Sequence, residues 1–279
     1  MLVFLKCCLF LVFLGIKENA MMSHGYFLRS ILFYVLFASG ISAMEIKNLS
    51  QAVDVAGKQR MFTQRMLKDY TMAGMHNHFG NPEEDLKNIM AAFEDYMQSL
   101  YDFTTDETTK KSIEVSQKLW LPVKKMLEAK ASRENACTLQ VKLEALLKAA
   151  DKTTKLFVKL TGKKSGEIIN ISGRQRMLSQ RIAGLYMMKS WEIDDPEFKE
   201  KMDASMKLFS NSHKKLKAYE KNTPETTALL NKIEKNFMFF EMMGDSDIFI
   251  PSLLFKKSMM ILKDMNTVTN LYAKIGVTE

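Results

Sequence analysis

Apolar residues recur three and four positions apart through most of the chain after residue 44, a period that predicts amphipathic α-helices. The predicted helices run from about 45 to 76, 82 to 103, 106 to 130, 133 to 160, 166 to 191, 196 to 219, 224 to 243 and 251 to 275. Three of them begin at a proline that directly follows a capping residue, in the pairs Asn81-Pro82, Asp195-Pro196 and Thr223-Pro224. Short connections between such helices favour antiparallel neighbours.

The second half of this pattern repeats the first. GKQRMFTQRM at residues 57–66 returns as GRQRMLSQRI at residues 173–182, an offset of 116 positions with six of the ten residues identical. Apolar positions further along match at the same offset, including Phe93 with Phe209 and Leu100 with Leu216. We therefore predict an all-α protein made of two tandem up-down-up-down four-helix bundles, residues 44–160 and 161–279, related by pseudo-twofold symmetry.

Composition narrows the possible classes of protein. With 47% hydrophobic residues and only twelve Gly and five Pro, the chain is neither largely disordered nor an all-β protein with frequent tight turns. Its three Cys exclude a disulfide-stapled scaffold and a four-Cys zinc site. The formal net charge of +8 favours anionic partners.

The amino terminus has the features of an export signal. Arg29 precedes an apolar run that ends in small residues at Ala43, and the run from Ser30 is too short to span a bilayer. We predict that residues 1–43 form a signal peptide, with residues 1–20 an upstream extension before the true start at Met21 or Met22. The predicted location is periplasmic or secreted, the alternative being an uncleaved segment that tethers the protein to the membrane. An exported protein rarely meets nucleic acid, so we expect no nucleic-acid partner.

The repeated motif places a glycine, an arginine and a glutamine on one face of each first helix. These residues are Gly57, Arg60 and Gln64 in the first copy and Gly173, Arg176 and Gln180 in the second. Glycine permits close approach of a facing helix, so the two arginines can meet across the pseudo-twofold axis. A semi-buried pair of arginines must be neutralised by an anion or a carboxylate, and the glutamine amides can donate further hydrogen bonds to a planar oxyanion.

Other interpretations of these residues remain open. The arginines can instead pair with acids on neighbouring helices, for example Asp54 or Glu167, and only hold the bundle together. For metal binding, His76 and His78 face different directions on a helix and have no evident third ligand. The sequence contains no phosphate-binding loop, nucleophile elbow or Cys with a convergent His, so we expect no enzyme, cofactor or metal site.

AGKQRMFTQRM and SGRQRMLSQRI, each early in a first helix, resemble the N-terminal domain of type IV pilus methyl-accepting chemotaxis transducers, the PilJ-type or NarX-like nitrate-sensor domain. In that family, extracytoplasmic bundles bind nitrate or nitrite between two first helices, with an arginine from each contacting the anion. The resemblance implies that Arg60 and Arg176 take this role and that Gly57 and Gly173 allow close packing. In the nitrate sensors the site forms between two chains, whereas here the duplication could build it within one.

The resemblance implies an exported sensor module that binds a small inorganic oxyanion of the nitrate or nitrite type. Such a module would act through a membrane-bound signalling or transport partner. The alternative is a structural or protein-interaction scaffold of the cell envelope without a ligand.

Overall fold

The computed structural model describes residues 44–244 and 249–278, and that part of the chain contains α-helices and no β-strand. The helices are α1 (Leu49–Gly74), α2 (Pro82–Phe103), α3 (Glu107–Glu128), α4 (Arg133–Thr161), α5 (Lys164–Ser190), α6 (Phe198–Lys217), α7 (Pro224–Gly244) and α8 (Pro251–Thr278). The predicted all-α class is confirmed, and every predicted helix is present with ends within a few residues. The predicted signal peptide, residues 1–43, lies outside the described residues.

Side-chain caps fix several helix starts. The carboxylate of Asp106 accepts a hydrogen bond from the N–H of Thr109 at 2.8 Å, and the Thr223 hydroxyl accepts one from the N–H of Thr226 at 3.2 Å. Such caps satisfy backbone donors that the first turn of a helix leaves unpaired. The predicted cap at Thr223 is therefore confirmed.

Helix α2 begins at Pro82 as predicted, but its predicted side-chain cap is absent, and α6 begins later than predicted. Asn81 adopts a left-handed conformation with φ of 53°, and its side chain does not cap α2. Helix α6 begins at Phe198, two residues later than predicted from the proline. There Asp195 accepts a hydrogen bond from the N–H of Glu197 at 3.0 Å and pairs with Lys201 at 2.9 Å, which holds residues 195–197 in a turn before the helix.

Helix packing follows the same scheme in both repeats. The first helix of each repeat contacts the second and fourth helices, and the third packs against the fourth. The most extensive contact in the described structure joins α1 to α5, so the first helices of the two repeats form the centre of one compact unit. This position explains why α1 and α5 bury residues on nearly all sides, including Arg60 and Arg176.

Aromatic side chains fill the core of each repeat on either side of this centre. Phe93 packs on Trp120 with ring centroids 4.7 Å apart, and Phe209 stacks on Phe237 at 3.9 Å. Gly162, with φ of 61°, ends α4 close to the predicted boundary between the two units. Within residues 44–244 and 249–278, no helix combines the length and apolar character that crossing a membrane requires.

Candidate functional site

The two repeats meet where Gly57 of α1 faces Gly173 of α5. A Cβ atom added to Gly57 would lie 3.9 Å from the Cα of Gly173, 3.3 Å from Nη2 of Arg176 and 3.5 Å from Nη2 of Arg60. Both guanidinium groups therefore approach the same small region above the glycines. The missing side chains leave room for two arginines from opposite repeats at one crossing point.

Arg60 is fully buried and links three helices. Its Nη1 donates to Oδ1 of Asp151 in α4 at 2.7 Å, and its Nη2 donates to the backbone carbonyl of Asn170 in α5 at 3.2 Å. Burial lowers the pKa of Arg60 to about 10, although the Asp151 carboxylate opposes this shift. The guanidinium therefore remains a cation at neutral pH.

Arg176, also fully buried, makes the corresponding contacts in the opposite direction. Its Nη1 donates to Oδ1 of Asn266 in α8 at 3.1 Å. Its Nη2 donates to the backbone carbonyl of Asp54 in α1 at 3.2 Å and lies 2.8 Å from Oδ1 of the same residue. Each arginine thus binds a polar side chain of its own repeat and a backbone carbonyl of the other.

The residues that contact the two arginines occupy equivalent positions but differ in charge. Asp54 and Asn170 are separated by the offset of 116. In the fourth helices the buried positions match at an offset of 115, as for Phe157 and Tyr272, and this offset pairs Asp151 with Asn266. The first repeat therefore supplies a carboxylate at both positions where the second supplies an amide.

Further cations surround the two carboxylates. Lys58 contacts Asp54 at 2.9 Å, Lys155 contacts Asp151 at 2.7 Å, and Arg174 lies 3.8 Å from Asp151. Together with the two buried arginines, these side chains outnumber the carboxylates and give the cluster a net positive charge.

The cations keep both carboxylates ionised. Burial alone would raise the pKa of Asp54, but Arg176 and Lys58 outweigh this effect and hold that pKa below its ordinary value. Burial likewise opposes ionisation of Asp151, whose pKa Arg60 and Lys155 lower overall. Both aspartates are therefore negatively charged at neutral pH.

Each buried arginine keeps one donor unused. The Nε atoms of Arg60 and Arg176 are buried and make no hydrogen bond within the described part of the chain. A buried N–H without a partner is energetically costly, and an ionised one more so. The cluster thus combines excess positive charge with two unpaired donors, a combination suited to a small anion.

The structure places the two predicted glutamines differently from the arginines. Oε1 of Gln180 accepts a hydrogen bond from Nζ of Lys68 at 3.0 Å, and Nε2 of Gln180 donates to the carbonyl of Ser258 at 3.1 Å. Nε2 of Gln64 donates to the hydroxyl of its neighbour Thr63 at 3.3 Å. The hydrogen bonds of both amides thus go to groups other than the arginine pair.

The alternative in which the motif arginines pair with acids has direct support at Asp54, which contacts Arg176. Glu167, the other acid considered, is exposed in the first turn of α5. Two further motif arginines point away from the crossing: Arg65 binds both oxygens of Asp85, and Arg181 pairs with Glu144.

One pair of motif residues escaped the sequence interpretation. Nε2 of Gln59 donates to the carbonyl of Phe93 at 3.0 Å, and Nε2 of Gln175 donates to the carbonyl of Phe209 at 2.9 Å. These bonds tie each first helix to the second helix of its repeat at equivalent positions. The repeated motif has a glutamine at this position in both copies, and this repetition was the sequence signal that could have singled them out. It could not show which groups the two glutamines contact.

The sequence profile of the family described as type IV pili methyl-accepting chemotaxis transducer N-term (PilJ) matches residues 43–146 and 161–236. This chain belongs to that family. The two matched segments fall on the two repeats, so the resemblance seen in the motifs is confirmed and the chain carries two tandem copies. No curated protein and no solved structure gives a significant match.

The PilJ family is a family of sensory, non-catalytic domains. Within the described residues, no group of three or more His, Cys, Asp or Glu side chains is arranged to hold a metal ion.

Proposed function

We propose that this PilJ-family chain is an exported sensory module that binds a small planar oxyanion, of the nitrate or nitrite class, between Arg60 and Arg176. The two copies would act as two four-helix units related by a pseudo-twofold axis through the crossing of α1 and α5. The observation that carries the proposal is the meeting of two fully buried guanidinium groups, one from each repeat, at Gly57 and Gly173.

The charge of the cluster supports an anionic ligand. The cluster has more cations than carboxylates, and the Nε donors of both arginines have no hydrogen-bond partner among the residues that the structure describes. A planar oxyanion offers acceptors in the geometry that the guanidinium fork recognises. In this proposal Gln64 and Gln180 assist only after their side chains reorient, because their amides are hydrogen-bonded elsewhere.

The family supports the proposed location and output. PilJ domains belong to transducers that signal through membrane-associated partners, and the N-terminal domain is typically periplasmic. We propose that this chain is periplasmic, exported through residues 1–43 as a cleaved signal or tethered by them. Anion occupancy would alter the packing of α1 against α5 and pass to a membrane-bound partner.

A specific observation also favours the second candidate, a ligand-free scaffold. Each buried arginine has a carboxylate within 2.8 Å, so the protein itself already neutralises part of their charge. In a scaffold these pairs would serve only to hold the helices together, Arg60–Asp151 within the first repeat and Arg176–Asp54 between the two repeats.

Calorimetric titration of the purified protein with sodium nitrate and sodium nitrite distinguishes the two candidates. The sensor predicts binding that weakens about ten- to a hundredfold in Arg60→Lys and in Arg176→Lys, since a point charge does not reproduce the two-pronged contact. Arg65→Lys is the matched control, because Arg65 lies in the same helix and pairs with Asp85 away from the crossing. Absence of binding in the wild-type protein would favour the scaffold.

A further inference from the structure

Asp151 faces the buried arginines on one side and solvent on the other. Its Oδ1 contacts Arg60 at 2.7 Å, while its Oδ2 contacts Lys155 at 2.7 Å. The same carboxylate lines a surface groove of about 730 Å³ formed by α4, α5 and α6, with Met177 and Leu208 among its apolar residues. Asp151 is therefore the point at which the groove reaches the buried cluster.

The groove is strongly basic. Its cationic residues are Lys148, Lys152, Lys155, Lys159 and Arg174, and Asp151 is the acid among its lining residues. At the pseudo-symmetric positions, Lys263, Thr267, Asn270 and Lys274 of the second repeat replace the four lysines of α4, and Lys58 of the first repeat replaces Arg174. The repeats thus differ in charge along this face, and the first repeat has the greater density of cations.

We propose that the oxyanion enters through this groove and that Asp151 is a tethered competitor, whose carboxylate occupies Arg60 until the oxyanion displaces it. This inference rests on the proposed function and adds the route and the residue that sets the affinity. A carboxylate is planar with two acceptor oxygens, so it presents to a guanidinium much the same pattern as nitrate.

Of the two carboxylates in the cluster, Asp151 is the one that an oxyanion can displace from its arginine more easily than Asp54. Its side chain is 25% exposed, against 6% for Asp54. When displaced from Arg60, Asp151 keeps Lys155, whose side chain is largely solvent-exposed and can follow it into the groove. Asp54 has no comparable freedom, because it is enclosed between Arg176 and Lys58.

The second repeat shows what the site looks like without the competitor. Asn266 makes the equivalent contact with Arg176 through a neutral amide, so the same place in the fold accepts either side chain. If the Asp151 carboxylate occupies Arg60 most of the time, only a small fraction of the protein molecules has Arg60 free to bind the oxyanion. The apparent dissociation constant of the oxyanion then equals its intrinsic value divided by that fraction. Removing the charge of Asp151 therefore strengthens binding, and adding a charge at position 266 weakens it.

Calorimetry with nitrate on wild-type protein, Asp151→Asn and Asn266→Asp tests this exchange. We expect Asp151→Asn to lower the dissociation constant about tenfold or more, and Asn266→Asp to raise it to a similar extent. Asp85→Asn, which removes the α2 carboxylate that pairs with Arg65 of α1, serves as the control and leaves the constant unchanged. Far-ultraviolet circular dichroism verifies that each variant is folded.

The titrations separate failure of the competitor hypothesis from failure of the oxyanion site itself. Wild-type binding with an equal or weaker affinity in Asp151→Asn would overturn the competitor and leave the oxyanion site standing. Absence of nitrate binding in the wild type and in Asp151→Asn alike would overturn the site itself, and the competitor with it.

A second comparison tests the route. Charge reversal in Lys148→Glu/Lys159→Glu should weaken nitrate binding several-fold at low ionic strength, and the effect should shrink at high salt because of screening. The matched pair Lys263→Glu/Lys274→Glu changes the net charge equally at the equivalent positions of the second repeat. Equal losses in both double variants would show that only net charge matters and would overturn the proposed route.

Discussion

Tyr70 and Tyr186 perform the same task in the two repeats: each accepts a hydrogen bond from the backbone just before the fourth helix. The hydroxyl of Tyr70 accepts from the N–H of Ser132 at 3.0 Å, and that of Tyr186 accepts from the N–H of Ile250 at 2.8 Å. Both tyrosines lie near the end of a first helix, 116 positions apart. Each hydroxyl therefore joins the end of one helix to the start of another that is distant in sequence.

We expect Tyr70→Phe and Tyr186→Phe each to lower the free energy of unfolding by about 1 to 2 kcal/mol, because each leaves a partly buried N–H without its acceptor. Chemical denaturation followed by circular dichroism measures the loss.

Tyr101→Phe is the control for these variants. Its hydroxyl contacts the carboxylate of Glu114 at 3.4 Å, a long contact that involves no backbone group. We expect a change within about 0.5 kcal/mol. Equal losses in all three variants would show that the hydroxyls of Tyr70 and Tyr186 have no special role at the helix starts.

The glycine at the helix crossing should tolerate a methyl group less well than another glycine of the same helix. A Cβ on Gly173 would lie 3.2 Å from Nη2 of Arg176 and 3.4 Å from Nη2 of Arg60, whereas one on Gly184 would meet its nearest neighbour at 3.5 Å. We expect Gly184→Ala to stabilise the protein by up to about 1 kcal/mol through helix propensity. Over-packing should make Gly173→Ala destabilising by about 1 to 2 kcal/mol.

Thermal denaturation of the two alanine variants provides the comparison. If Gly173→Ala were as stable as Gly184→Ala, the guanidinium groups would not need the space above the glycine. The same variant should also bind nitrate more weakly than wild type, since the arginines must move to make room.

The sequence predicts the helices well because their periodicity is strong and prolines mark several starts. The start of α6 was less predictable, since Asp195 bonds to Glu197 and Lys201 and holds a turn where the proline alone suggested a helix. The pattern of apolar residues and prolines does not show which side chain Asp195 contacts, so it could not predict this turn.

The candidate site was predictable only in part. Repetition identifies Arg60 and Arg176, but the partner Asp151 is 91 residues from Arg60 and lies in a helix where the offset between the repeats changes from 116 to 115. A helical projection also puts Gln180 on the same face as Arg176, although it lies one turn, about 6 Å, further along the axis. At that level Gln180 contacts Lys68 instead.

Asp69 should make the stability of the protein fall as the pH rises. Its side chain is fully buried, with Nζ of Lys68 at 3.5 Å and Nε of Arg65 at 3.9 Å as its cationic neighbours. Burial raises the pKa of Asp69 to about 8, opposed by Lys68 and reinforced by Asp85. The equivalent residue of the second repeat is Leu185, so the fold at this position does not require a charge.

The direction of the effect follows from proton binding. An aspartate in the unfolded chain loses its proton near pH 3.9, so between about pH 4 and 8 the folded state holds a proton that the unfolded state has released. The free energy of unfolding therefore decreases with rising pH across this window, by at most about 1.4 kcal/mol per pH unit from this group. Asp69→Asn removes the titration and should stabilise the protein relative to wild type as the pH rises.

Urea denaturation at several pH values from 5 to 7.5 tests this, with the difference between wild type and Asp69→Asn as the measured quantity. Taking the difference reduces the influence of other groups whose pKa burial lowers, such as His213, because both proteins contain them. We expect the advantage of Asp69→Asn to grow steadily with pH. For the control Asp203→Asn, at an exposed site, the difference in free energy of unfolding from wild type should stay constant with pH. A constant difference for Asp69→Asn as well would show that Asp69 is already ionised in the folded protein at pH 5.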